Sequence, residues 1–268
     1  MMMIFFICLF KVKKTSAGMF NSKGDVKAYN VKSFKSHLGK SSKGTMVVFY
    51  SPRCGHCRSL QPDYEKAATN LKNLVNFIAI DCESQENSAS CGSEYQIRGY
   101  PTIKYYSANP ISIDYQGQRT SSALIEFSTK NMPSFTKRVK TFDQLESLID
   151  KSSSDKPLVV LFTKSSSATP LFKALSSVIH KKMDVYISST SAIGLEKLKE
   201  SFGVNEVPKL LIFNKQLKSE DEDDTYIKRY DGKINYDDLY KFFKEYLELS
   251  KQKKEENSKK AEKVKDEL

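Results

Sequence analysis

No stretch of the 268-residue chain approaches the roughly 20 apolar residues needed to cross a bilayer. The longest such run, positions 1–10, ends at Lys11 and has the length of a secretory signal core. Cysteine is scarce, with five residues and none after Cys91, so the rest of the chain cannot do thiol chemistry. Only Cys54 and Cys57 are closely spaced, and the lack of a second such pair argues against a zinc site completed by Cys82, Cys91 or a histidine. No metal site is expected. Basic clusters with interleaved aromatics are also missing: the net charge of +11 is spread over lysines in both halves. Nucleic-acid binding is therefore set aside, and the charge is read as solubility with a mild preference for acidic partners.

What the chain does have is Cys54-Gly55-His56-Cys57 between two periodic segments. Positions 46–50, Met-Val-Val-Phe-Tyr, form a β-branched and aromatic run of strand length, and 58–71 carries apolar residues at helical spacing. Cys54 thus lies where a strand hands over to a helix. A thiol there meets unpaired backbone N–H groups and the positive end of the helix dipole, which lower its pKa from about 8.5 into the range of roughly 3.5 to 7.5. Cys57, one turn on, can close a disulfide with Cys54 or cut a mixed disulfide loose from it. Gly55 keeps the turn tight, and His56 can add positive charge between the thiols.

Three stretches carry a resemblance. Phe49-Tyr50-Ser51-Pro52-Arg53-Cys54-Gly55-His56-Cys57, Gln61-Pro62-Asp63-Tyr64-Glu65-Lys66-Ala67-Ala68 and Arg98-Gly99-Tyr100-Pro101-Thr102-Ile103-Lys104 resemble the active thioredoxin domain of the protein disulfide isomerase family, over about residues 26 to 130. The resemblance implies a thiol–disulfide oxidoreductase and isomerase that works through a mixed disulfide on Cys54, resolved by Cys57, with no cofactor beyond that dithiol. It also implies a cis Tyr100–Pro101 bond beside the active disulfide, and a substrate-binding rim of Arg53, Tyr100, Pro101 and Thr102. Arg119 matches the family's mobile arginine, which tunes the second cysteine, and Pro62 matches a kink in the active-site helix. Cys82 and Cys91 read as a structural disulfide, a pair that several family members carry; inert thiols or a regulatory pair are the other readings.

The chain departs from the family pattern twice. Tryptophan is absent altogether, and Arg53 stands where the family places one before the active cysteine. A cation there is expected to lower the Cys54 pKa further, while a flat apolar lid is lost. Val48 stands where the family buries a carboxylate that passes protons to the second cysteine, so slower resolution is expected.

Beyond residue 130 the pattern repeats without cysteines. Leu158-Val159-Val160-Leu161-Phe162 resembles the strand before Cys54, and Val207-Pro208-Lys209 resembles Tyr100-Pro101-Thr102. A tyrosine two before a glycine recurs, Tyr115 with Gly117 and Tyr230 with Gly232, each pair ahead of an amphipathic helix, over 121–127 and 236–247. The turn matching Cys54 to Cys57 is 163–169, made only of Lys, Ser, Ala and Thr. The expected fold class is α/β, two tandem thioredoxin-like domains, each a central mixed sheet flanked by helices. The expected division is a signal sequence at 1–18, an active domain at 25–131, an inactive one at 137–248, and a charged tail at 249–268, read as a solvated helix extension or a disordered segment. Glu220 to Asp224 read as a solvated hairpin loop with weak calcium binding as the alternative.

Lys265-Asp266-Glu267-Leu268 is the retrieval address of the endoplasmic reticulum lumen. The expected partners are unfolded or misoxidised secretory proteins, an upstream thiol oxidase or glutathione, and the receptor that reads the retrieval address. No membrane span is expected in the mature chain. The rival reading is a lumenal chaperone that holds clients with little redox turnover.

Overall fold

The computed structural model describes residues 18–20, 24–107, 111–215 and 226–266. The expected signal sequence up to Ala17, the acidic segment from Glu220 to Asp224, and the terminal Glu267-Leu268 lie outside the described residues.

The first half builds a mixed sheet from β1 (Val26–Ala28), β2 (Thr45–Tyr50), β3 (Asn76–Asp81), β4 (Thr102–Tyr106) and β5 (Ser112–Asp114), in the order β1-β3-β2-β4-β5. β1, β3 and β2 are parallel, while β4 and β5 run antiparallel. Four helices accompany it, α1 (Val31–Lys40), α2 (Gly55–Asn70), α3 (Ser88–Ser93) and α4 (Ser121–Lys130). All six residues of β2 are buried, which is why its sequence is a continuous apolar run without alternation: helices cover both sheet faces. Met46, Val48 and Tyr50 pack with Leu60, Tyr64 and Leu124 on one face, and Val47 and Phe49 with Val31 and Phe34 on the other. The Tyr64 hydroxyl lies 2.9 Å from the carbonyls of Met46 and Ile78, tying α2 to the two central strands.

The second half repeats the plan. Its strands are β6 (Lys137–Val139), β7 (Leu158–Thr163), β8 (Asp184–Ser189), β9 (Lys209–Phe213) and β10 (Ile227–Tyr230), in the order β10-β9-β7-β8-β6. Read from β6, that is the first sheet's order. Its helices are α5 (Phe142–Asp150), α6 (Pro170–Ile179), α7 (Thr190–Ile193), α8 (Leu195–Phe202) and α9 (Tyr236–Asp266). The Tyr-x-Gly repeat has a physical cause in both halves. Tyr115 and Tyr230 fold back so that their hydroxyls donate to the Gln118 and Lys233 carbonyls, and a Cβ on Gly117 or Gly232 would fall 2.6 or 2.5 Å from the phenolic oxygen. Only glycine leaves room for the ring.

One helix limit differs from expectation, and one open reading is decided. α2 starts at Gly55, three positions before the apolar periodicity begins, because Cys54 itself caps it. The charged tail takes the helix-extension reading: α9 runs past 247 to Asp266 through a lysine- and glutamate-rich segment of strong helix formers without a breaker. Among the described residues no helix is long and apolar enough to cross a membrane.

The halves touch through α6 and the start of α9. Ala174 is buried in the first core, the Lys173 ammonium donates to the Thr129 carbonyl, and the Phe135 N–H donates to Ser176 Oγ. Tyr236 packs against cores of both halves, and Asn73 Nδ2 donates to Asp237 Oδ1.

Candidate active site

Where β2 ends, the chain turns through Ser51, Pro52 and Arg53 and places Cys54 at the N-cap of α2. In the dithiol form present here, Cys54 Sγ accepts the Cys57 N–H at 3.4 Å and donates to the Tyr100 carbonyl at 3.5 Å. Cys54 is half-buried and Cys57 is buried.

The two thiols are pushed apart in acidity. Burial raises the Cys54 pKa, but hydrogen bonds from the Cys57 thiol and from the Cys57 and His56 backbone, together with the Arg119 guanidinium, outweigh it and leave the group below its ordinary value. Cys57 is pushed up to about 12, first by burial, then by its bond to Cys54 and by that neighbour's charge, with the Ser51 backbone and Arg119 acting in the opposite sense. Cys54 is thus the group that ionises first.

Tyr100 and Pro101 face the thiols across the start of β4, and the peptide bond between them is cis. Thr102 Oγ1 donates to the Gly99 carbonyl at 2.7 Å, holding this corner. Arg119, before α4, lies 3.5 Å from the Pro101 carbonyl and lines a cleft of about 190 Å³ with Pro101, Thr102 and Tyr115. Tyr100 keeps 36 % of its surface exposed beside the sulfur.

Arg53 does not act as expected. Its Nε pairs with Glu83 Oε2 at 3.0 Å, and the bond holds the Glu83 carboxyl below its usual range. The cation that lowers Cys54 is Arg119, approaching from the loop before α4, and the Arg53 charge is spent on Glu83. His56 likewise contributes through its backbone, while its side chain is exposed. Thirty positions separate Arg53 from Glu83, and no local pattern marks the pair. Glu83 follows Cys82, which is bonded to Cys91 with an S–S length of 2.03 Å and a Cα–Cα distance of 5.8 Å, joining the end of β3 to α3. Both sulfurs are buried, and neither is available to share a metal with Cys54 and Cys57. Among the described residues no group of three or more metal-ligating side chains is assembled.

Val48 is fully buried in the core cluster that contains Cys57. The carboxylate closest to it in register is Asp81, paired with Tyr50 at the end of β3 and raised by burial. Pattern reading did not single out Asp81.

The thioredoxin family model matches residues 25–130. Residues 25–130 are a thioredoxin domain. The chain is homologous to protein disulfide-isomerases. It is 34 % identical over 253 residues to a protein of Dictyostelium discoideum named as one, covering 92 % of this chain and 58 % of that relative. It is 27 % identical to protein disulfide-isomerase MPD1 of Saccharomyces cerevisiae, covering 86 % of this chain and 81 % of the relative. A third relative, protein disulfide isomerase-like 2-2 of Oryza sativa subsp. japonica, is 30 % identical with 89 % and 65 % covered. The chain therefore spans less than two thirds of the first and third of these. A crystal structure of ERdj5 (form II) superposes with a TM-score of 0.50 at 18 % identity, over 84 % of this chain and 30 % of that one. That superposition extends the fold beyond the thioredoxin domain, giving two tandem thioredoxin-like units.

Proposed function

We propose that the chain is a thiol–disulfide oxidoreductase and isomerase of secretory polypeptides, with Cys54 as the attacking sulfur and Cys57 as the resolving one. The observation that carries this reading is the Cys54 thiol at the cap of α2, bonded to the Cys57 N–H at 3.4 Å and more acidic than its buried neighbour. The Cys54 thiolate attacks one sulfur of a client disulfide; an S–S bond forms to Cys54 as the client bond breaks, and the other client sulfur leaves as thiolate. Cys57 then loses its proton and attacks Cys54 Sγ, releasing the reduced client and leaving a Cys54–Cys57 disulfide. The reverse sequence oxidises a client dithiol. Isomerisation follows when a client thiolate, in place of Cys57, displaces Cys54.

Arg119 serves both steps, since its charge favours each thiolate in turn. Arg53, Tyr100, Pro101 and Thr102 form the rim that clients meet, and Cys82–Cys91 is a structural clasp. The electrons reside in the dithiol: reduced glutathione returns the Cys54–Cys57 disulfide to the dithiol after a client is reduced, and an upstream thiol oxidase returns the dithiol to the disulfide after a client is oxidised. The active domain is assigned to 25–131, the inactive one to 137–248, the signal to 1–18 and the tail to 249–268. The workplace is the endoplasmic reticulum lumen, supported by the Lys-Asp-Glu-Leu tetrapeptide, through which a retrieval receptor holds the chain.

The test is insulin reduction by the wild type and by Cys54→Ala, with Cys57→Ala used to accumulate the mixed disulfide. The reading predicts no turnover in the first variant and a trapped client in the second. A client-aggregation assay in which Cys54→Ala keeps full protection, with no turnover by the wild type, would make the protein a holding chaperone. The pair's reduction potential should lie near about −180 mV or higher, and a value near about −270 mV would mark a dedicated reductase.

A further inference from the structure

At the opposite end of the first sheet from the thiols lies a cleft of about 820 Å³ between α1, the loop after it and Val178 of α6. It opens broadly to solvent, a trough along α1 and not an enclosed pocket. Lys32, Ser36 and Lys40 recur at four-residue spacing along one stripe of α1, with His37 on the neighbouring row and Lys43 at the mouth. No carboxylate lines it.

Ordinary structural duties explain only part of this charge. His37 and Lys40 sit in the last turn of α1, where a cation complements the helix dipole. Lys43 is already engaged: it donates to the Asn73 carbonyl at 2.7 Å, lies 4.3 Å from the centre of the Tyr236 ring and faces Asp237. Lys35, also on α1 but outside the cleft, pairs with Glu94 at 2.7 Å. Lys32 is different. It occupies the first turn of a helix with no acidic residue there, the end where a cation is unfavourable. Among the described residues neither Lys32 nor Lys40 has a carboxylate partner.

The spacing selects the ligand. Lys32 and Lys40 are separated along the helix by about 12 Å, too far for one small oxyanion to bridge. An extended peptide places side chains of one face about 6.6 Å apart, so two acids four positions apart match the two ammonium groups. We propose that this cleft docks acidic, extended segments of client polypeptides, a substrate class that rests on the isomerase reading above. The docked segment would be held about 20 Å from Cys54, the length of β2, so a disulfide elsewhere in the same client can reach the thiols.

The probe is a dye-labelled, cysteine-free peptide of roughly twelve residues alternating Glu and Ser, with a Gln–Ser counterpart, added to the full chain and followed by fluorescence anisotropy. The Glu peptide should bind, weaken with added salt, and lose about tenfold in affinity to a Lys32→Ala, Lys40→Ala variant, while the Gln peptide should not bind. Reduction of bis(2-hydroxyethyl) disulfide, a small uncharged substrate with no segment to dock, should be the same in that variant as in the wild type. Equal binding of both peptides, or Glu-peptide binding unchanged in the variant, would overturn the proposal. So would tripolyphosphate binding that the variant loses while the peptide never binds, because the site would then take small polyanions. Failure of insulin reduction alongside lysine-dependent peptide binding would instead fault the catalytic reading and leave the acidic-peptide cleft standing.

Discussion

Cys54 and Thr169 hold the same place in the two halves. Each follows the central strand, each caps the next helix, and each side chain accepts a backbone N–H three residues on, from Cys57 in one case and Phe172 in the other. Sheet order is shared, and so is a cis X-Pro bond just before the adjacent antiparallel strand. The difference is one of ionisation. A hydroxyl caps a helix as well as a thiol does, but it does not become an anion at neutral pH. The scaffold therefore supplies the dipole and the orphan N–H groups in both halves, and only the first half places there an atom that can use them chemically.

The sharpest way to break this comparison is Cys54→Thr, which writes the second half's cap into the first. Insulin reduction should fall to background while chemical denaturation shows stability kept within about 1 kcal/mol, since threonine is a good N-cap. A large loss of stability would mean that the thiol does more for the fold than cap a helix. Arg119→Ala should come next. Its guanidinium lowers both thiols, so its removal moves both upward, and each unit by which the Cys54 midpoint rises slows alkylation about tenfold below that midpoint. An iodoacetamide rate profile against pH with an unmoved midpoint would refute that role.

Val48→Glu should raise insulin turnover several-fold by giving Cys57 a nearby proton acceptor, at a cost in stability from burying a carboxyl in this core. Equal rates would sink the idea that the missing carboxylate slows resolution. The smallest effect is expected from Arg53→Ala, because Glu83 already takes up that charge at an exposed site: alkylation should change by less than about twofold. A shift as large as that of Arg119→Ala would show that the ion pair opens in solution.

The fold was legible because its signals are local. The runs ending at Tyr50 and Phe162 are apolar throughout, as strands covered on both faces must be, and the Tyr-x-Gly pairs mark a ring folded over a residue without a Cβ. The dithiol was legible for the same reason, as a spacing inside one turn. What escaped depends on pairs distant in sequence, Arg53 with Glu83 and Asp81 with Tyr50 across a parallel ladder, while Arg119 beside the thiols was reached through the family resemblance and not through any local pattern. A cation adjacent in sequence to Cys54 looked like its natural partner, yet the turn aims that side chain outward at a carboxylate, and the cation that acts on the thiol arrives from a segment more than sixty positions away.

Ala174 belongs to a helix of the second half and is buried in the core of the first. Peeling the two units apart would strip cover from the part of that core around Ala174, so the first half is more stable with its neighbour in place. Heat should melt the first unit at a lower temperature when the second is cut away, and the unit without thiols becomes a thermodynamic splint for the one that has them.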